Sequence, residues 1–255
     1  MHHLASTIVA GLFGAIIGSF LNVCIYRLPR GRSVVWPASA CPACNRHLSW
    51  FENIPLLSYT SLGGRCRTCG APISVRYLIV EGLTALMFAF AWRHFGPGPL
   101  LASRLLFGCA LIVLFAIDLE HHLLPNTITL PGILVGFAFG LVTLPGWSSS
   151  LLGILVGGGV LYGIAEVYYR LRHEEGLGMG DVKMLAMIGA FVGWKLTIVT
   201  LMLASLAGSA IGVLLIVTRR GGMKYPLPFG SFLALGAALA ATVGPAVLDW
   251  YLGLW

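Results

Sequence analysis

Charge is what this chain has least of: only 10% of its 255 residues are charged, while 58% are hydrophobic. A soluble globular domain carries roughly 25% charged residues. The shortage excludes an ordinary water-soluble fold and leaves most of the chain facing lipid or other buried helices. Several motifs are missing as well. No G-x-G-x-x-G follows a soluble strand, and the run Gly157-Gly158-Gly159 lies inside an apolar stretch, which excludes the usual nucleotide cradle. No H-E-x-x-H occurs, since the order is Glu120-His121-His122, and this argues against a zinc protease. The buried Gly-Ser pairs, Gly18-Ser19 and Gly208-Ser209, have no companion His or Lys in a span, so a membrane serine protease finds no support. Internal repeats and low-complexity linkers are absent too.

What the chain does have is apolar runs, at about 4–26, 77–92, 100–117, 127–145, 150–169, 183–194, 196–218 and 229–248, the sixth being short. A hydrocarbon core of roughly 30 Å takes about 20 helical residues. The runs therefore predict an all-α polytopic membrane protein with about eight transmembrane helices. The first run is preceded by no basic residue and followed by no small-residue cleavage site, so it reads as a retained span rather than a signal peptide. The expected division is a first transmembrane helix over 1–26, a long loop over 27–76, and a transmembrane bundle over 77–255.

The net charge of +7 could suggest a nucleic-acid partner, but the basic residues sit between apolar runs. With the N-terminus outside, Arg27, Arg30, Arg32, Arg46, Arg65, Arg67, Arg76, Arg170, Arg172, Lys183, Arg219, Arg220 and Lys224 fall in or beside inside loops, leaving Arg93, Arg104 and Lys195 for the other face. That 13-to-3 split is a positive-inside signal and predicts both termini outside the cytoplasm. Its partner is the lipid bilayer, and no nucleic acid is expected. Small residues four apart, as in Gly14 with Gly18, Gly136 with Gly140 and Gly153 with Gly157, permit close helix contact.

The long inside loop carries two C-x-x-C knuckles, Cys41-Pro42-Ala43-Cys44 and Cys66-Arg67-Thr68-Cys69, with 21 residues between them. Each knuckle offers two thiolates to one metal, and a loop of this size has too small a core to fold unaided. The spacing predicts structural zinc on Cys41, Cys44, Cys66 and Cys69. Redox chemistry and disulfides are the alternatives, the latter disfavoured if the loop faces a reducing cytosol. Cys24 and Cys109 lie in spans and read as small apolar residues.

Carboxylates near a hydrocarbon core are functional candidates by default. Of the nine, Glu52, Glu174 and Glu175 are easily solvated in inside loops, and Asp249 sits at the outer end of the last span. Glu81, Asp118, Glu120, Glu166 and Asp181 remain. Asp118 ends the third span and Asp181 opens the sixth, at the same depth and on the same face. Two facing carboxylates share a proton, which provides an acid and a base at one pH, as peptide hydrolysis requires. Gly178 and Gly180 suit a backbone that leaves helical geometry beside Asp181. The plainer reading is that both Asp residues are helix-end groups solvated at the interface. His121 and His122 read as interfacial.

Taken together, these motifs resemble those of the prepilin peptidases, the G-x-G-D aspartyl proteases of type IV pilus and type II secretion systems. The likeness runs through Gly18-Ser19-Phe20-Leu21-Asn22-Val23 with Arg27-Leu28-Pro29, the cysteine knuckles, and Ser49-Trp50-Phe51-Glu52-Asn53-Ile54-Pro55. It continues through Pro72-Ile73-Ser74 with Arg76-Tyr77 and Glu81, the Asp118 segment, Gly178-Met179-Gly180-Asp181-Val182-Lys183 and Pro228-Phe229-Gly230. Asn126 stands where many members have Asp, and Leu78 where a Pro is common. The resemblance implies Asp118 and Asp181 as the catalytic pair, with Gly178, Gly180 and Lys183 in the supporting loop. It implies a bacterial inner-membrane protein that cuts the short basic leader of prepilins or pseudopilins after a Gly at the cytoplasmic face. It also implies N-methylation of the new N-terminus with S-adenosylmethionine, an activity tied to the cysteine loop; Glu52 and Glu81 are the candidates to bind that cofactor. Two other classes compete: a non-enzymatic zinc-bearing assembly factor, and a proton-coupled transporter, which should show inverted repeats that the chain lacks.

Overall fold

The computed structural model describes residues 2–173, 178–218 and 227–253. Glu174, Glu175, Arg219, Arg220 and Lys224 lie outside the described residues. Among the described residues there is no strand, only two isolated bridges, Ala40 with His47 and Arg65 with Pro72. Ten helices follow one another: α1 (His2–Arg27), a short α2 (Leu57–Ser61), α3 (Arg76–Phe95), α4 (Pro99–His121), α5 (Asn126–Val142), α6 (Trp147–Arg172), α7 (Met179–Val192), α8 (Trp194–Val217), α9 (Phe229–Thr242) and α10 (Gly244–Leu252).

Each apolar run falls on a helix, the last on α9 and α10, which meet at a bend of 61°. Among the described residues, five helices are long and apolar enough to cross a membrane, or six if the bent pair is one span. Length and composition thus account for five or six of the eight expected spans. At 1.5 Å per residue, the 17 residues of α5 reach about 25 Å and the 14 of α7 about 21 Å, short of a 30 Å core.

The chain forms two compact units, Met1–Leu105 and Leu106–Trp255. In the first, α1 packs on α3 along its small residues. A Cβ on Gly14 would lie 2.7 Å from the Cβ of Phe88, and one on Gly18 only 2.8 Å from the Cα of Glu81. These glycines let two backbones approach, as the four-residue spacing predicts.

In the second unit α7 is the centre. Val182 and every residue from Met184 to Val192 are buried, against α5, α6, α8 and α9. Gly153 and Gly189 bring α6 and α7 into backbone contact, and Gly136 of α5 faces Ala190 and Phe191. Phe191 also stacks on Phe107 of α4, with ring centroids 5.0 Å apart. Lipid tails are as apolar as these side chains, so such packing draws on van der Waals contact rather than on escape from water. The arrangement explains why α7 can be short: its sides meet protein, and its first turn holds Asp181.

Candidate active site and metal centre

Asp118 lies in the last turn of α4 and is buried. After α4 the chain turns through His122, in left-handed conformation with φ 51°, and Pro125 caps α5. Ser231, in the first turn of α9, donates twice to Asp118 Oδ2: from its backbone N–H at 2.6 Å and from its hydroxyl at 2.9 Å. The start of a helix presents unpaired N–H groups and the positive end of the dipole, both suited to a carboxylate. A Cβ on Gly230 would lie 3.0 Å from the Asp118 carboxyl carbon and 2.9 Å from Leu124 Cδ1.

Asp181 sits in the first turn of α7, half-buried, and its backbone N–H donates to the Gly178 carbonyl at 3.0 Å. It stands within electrostatic range of Asp118, and the His122 imidazole is likewise within range of Asp118. Leu124 borders both acids' elements, since a Cβ on Gly180 would lie 3.0 Å from its Cβ. Lys183 donates to Asn126 Oδ1 at 3.0 Å and so ties α7 to the start of α5.

Two sequence expectations need correction. Gly180 does not leave helical geometry: α7 starts at Met179, and only Gly178, at φ −72° and ψ 137°, is extended. What Gly180 provides is the missing Cβ that lets Leu124 close on α7. Glu52 is not solvated. It is buried, ion-paired to Arg46, and accepts the Ser49 N–H at 2.8 Å in a capping box around the turn Trp50–Asn53. The bond from Ser49 and the Arg46 guanidinium hold its carboxyl below the usual range. Of the other acids, Glu166 forms an exposed pair with Arg170 at 2.7 Å, and Glu120 lies 4.0 Å from His121. Ser231 was not singled out from sequence; the available signal was a polar residue in the first turn after Pro228, at the mouth of an apolar run.

The four loop thiols converge. The sulfur atoms of Cys41, Cys44, Cys66 and Cys69 all lie within 4.8 Å of one another, and Cys41 and Cys69 are 3.9 Å apart. With metal–sulfur bonds of about 2.3 Å, a tetrahedron has edges of about 3.8 Å, whereas a disulfide would need about 2.05 Å. The two knuckles repeat one local fold. The Cys41 N–H donates to Arg46 O and the Asn45 N–H to Cys41 O; the Cys66 N–H donates to Ala71 O and the Gly70 N–H to Cys66 O. Asn45 and Gly70, one residue past each second cysteine, share a left-handed φ of 55° and 69°. The Cys66 thiol is drawn down to about 6, first by the backbone N–H of Cys69 and then by that of Thr68, which favours the thiolate a metal requires. The cluster can hold a metal ion.

Glu81 is buried in α3 and accepts the Leu56 N–H at 2.8 Å. Asn22, buried on α1, donates to the Tyr77 carbonyl at 3.1 Å.

Fold and site together define a multi-pass helical membrane protein with a buried carboxylate, a second acid close by, and a four-thiolate cluster in a long loop. Residues 12–95 match the bacterial peptidase A24 N-terminal domain, and residues 105–213 match the type IV leader peptidase family. The chain is 38% identical over 269 residues to the prepilin leader peptidase/N-methyltransferase of Aeromonas hydrophila, covering 94% of this chain and 92% of that one. To the protein of the same name in Pseudomonas aeruginosa it is 34% identical over 277 residues, covering 98% and 95%. No solved structure matches the chain. The chain belongs to the type IV leader peptidase family.

Proposed function

We propose that this protein is a prepilin leader peptidase and N-methyltransferase of the bacterial inner membrane, working by an aspartyl dyad. The observation that carries the peptidase half is that Asp118 and Asp181, 63 positions apart, lie in one helical unit within electrostatic range of each other, with Ser231 donors on one of them. The donors divide the labour. Asp118, holding two hydrogen bonds on one oxygen, is the ionised partner, and Asp181 carries the proton. Asp118 takes a proton from water as the water oxygen attacks the scissile carbonyl, and Asp181 gives its proton to the carbonyl oxygen. Collapse of the gem-diol intermediate breaks the C–N bond: the proton held by Asp118 passes to the leaving amine, and one hydroxyl of the gem-diol returns its proton to Asp181 as the new carboxyl C=O forms. Gly178, Gly180 and Lys183 shape and anchor the start of α7 around this chemistry.

The client is a prepilin or pseudopilin, cut after the Gly that ends its basic leader. The basic split motivates the topology: loop and acids on the cytoplasmic face, both termini outside. Labelling of Cys41 to Cys69 by an impermeant reagent from the outside of intact, chelator-treated cells would refute it. In this reading the segment 1–26 is the first span, 27–76 the methyltransferase-associated loop built around zinc on Cys41, Cys44, Cys66 and Cys69, and 77–255 the peptidase bundle. Four protein thiolates leave no open position, so the zinc is structural. S-adenosylmethionine supplies the methyl group.

The test uses purified Asp118→Asn and Asp181→Asn proteins, with leader removal and methyl incorporation followed separately. Each variant should lose cleavage about as fully as the double variant, the non-additivity of groups that act as one unit. Asp181→Asn should still methylate a pre-cleaved client. Near wild-type cleavage by either variant overturns the dyad.

A further inference from the structure

A buried carboxylate is costly unless a cation or several donors compensate it. The two buried glutamates of the first unit differ in this respect. Glu52 has its cation in Arg46. Glu81 is 7% exposed; the group bonded to it, the Leu56 N–H, and the nearby Ser19 hydroxyl are both neutral. On the facing helix, Asn22 is 1% exposed and spends only its amide N–H, on the Tyr77 carbonyl; its Oδ1 has no partner. Tyr77 and Glu81 are one helical turn apart, so the carbonyl that receives Asn22 also receives the Glu81 N–H. Through the Tyr77 carbonyl, Asn22 on α1 and its orphan acceptor thus stand against the turn of α3 that carries the uncompensated Glu81. Two acceptors without a cation suit a ligand that brings both donors and positive charge.

The cover over Glu81 is strained. Leu56 has φ 63° and ψ −46°, outside the regions open to a bulky residue, and such strain gathers at sites that change state. Its N–H is the backbone group bonded to Glu81. Displacing Leu56 would break this bond and relieve the strain together.

The geometry points to an alkylammonium-binding site formed by Glu81 and Asn22 and closed by Leu56, in which the ligand's N–H groups replace Leu56 on Glu81 and satisfy Asn22 Oδ1. The inference rests on the methyltransferase half of the reading above, because both substrates of that reaction carry such a group. One is the new N-terminus of the client; the other is the amino-acid end of S-adenosylmethionine. Glu52, already paired, is left with a structural role.

Binding is measured by calorimetry on the full chain in nanodiscs, with three probes: a pre-cleaved pilin-type peptide, the same peptide N-acetylated, and S-adenosylmethionine. Glu81→Gln keeps the volume and an acceptor for the Leu56 N–H but removes the charge. Its zinc content should match wild type. If the client N-terminus is the occupant, wild type binds the free peptide at least tenfold tighter than the acetylated one, and Glu81→Gln loses that preference. If the methyl donor is the occupant, Glu81→Gln loses at least tenfold in affinity for S-adenosylmethionine. Ser19→Ala, which strips a neutral donor from the carboxylate, should tighten the same ligand a few-fold. Wild-type affinities for every probe in both variants overturn the site, and so does failure of Ser19→Ala to tighten either ligand if Glu81→Gln does not fold. Charge discrimination by a wild-type protein that incorporates no methyl group counts against the methyltransferase reading alone.

Discussion

Replacing Gly230 by Ala tests how closely the start of α9 must approach Asp118. The added Cβ would lie 3.0 Å from the Asp118 carboxyl carbon and 2.9 Å from Leu124 Cδ1. Carbon atoms in contact sit about 3.5–4.0 Å apart, so some element must yield by roughly 0.5–1 Å. Overpacking of this kind costs about 1–3 kcal/mol, offset in part by the 0.5–1 kcal/mol that Ala gains over Gly in a helix. The net destabilisation should be about 1–2 kcal/mol. Catalysis should suffer more, because displacement of a reacting group by about 1 Å can cost 10²-fold; leader removal should fall roughly ten- to a hundredfold. Gly163 is the control. A Cβ there meets nothing within 4 Å, so Gly163→Ala makes the same chemical change in a helix without the clash and should cleave within twofold of wild type. The assay is leader removal from a co-reconstituted prepilin, read by gel mobility, beside thermal unfolding in detergent. Cleavage by Gly230→Ala within twofold of wild type would refute the reasoning.

Two further outcomes follow from the loop. Purified protein should contain one zinc, and Cys66→Ser should lose most of it; a metal-free wild type or an unchanged zinc content in the variant would contradict the tetrathiolate site. The Ser49 N–H bond and Arg46 hold the Glu52 carboxyl low, so its contribution is present above the ordinary value of about 4.3 and lost as pH falls through the lower folded value. Amide exchange at Ser49 should therefore be better protected in wild type than in Glu52→Gln at pH 6, with the difference vanishing in acid; a difference constant from pH 6 to 3 would exclude this account.

What was legible in the sequence was what local spacing or scarcity carries. A C-x-x-C pair commits two thiols to one turn wherever it occurs, and the structure gives both knuckles the same hydrogen bonds. Asp118 stood out because few carboxylates border apolar runs, an argument that needs no partner. Glu52 was misread although its signal was present: Ser49-x-x-Glu52 is a capping-box pattern, and an acid at that position is spent on the turn it closes rather than on solvent. Ser231 and Leu124 were illegible for a different reason. Ser231 matters through an oxygen 113 positions away, and nothing in the polarity of a Ser at a helix start selects that partner among many. The same holds for the length of α7. Read along the chain, 14 apolar residues make a weak span, because a lone helix must cover about 30 Å of hydrocarbon with its own side chains and satisfy its own backbone ends. Ringed by α5, α6, α8 and α9, α7 has protein along its sides instead of lipid. A helix so enclosed is relieved of the length rule, and its first turn holds Asp181 within electrostatic range of Asp118 in the last turn of α4.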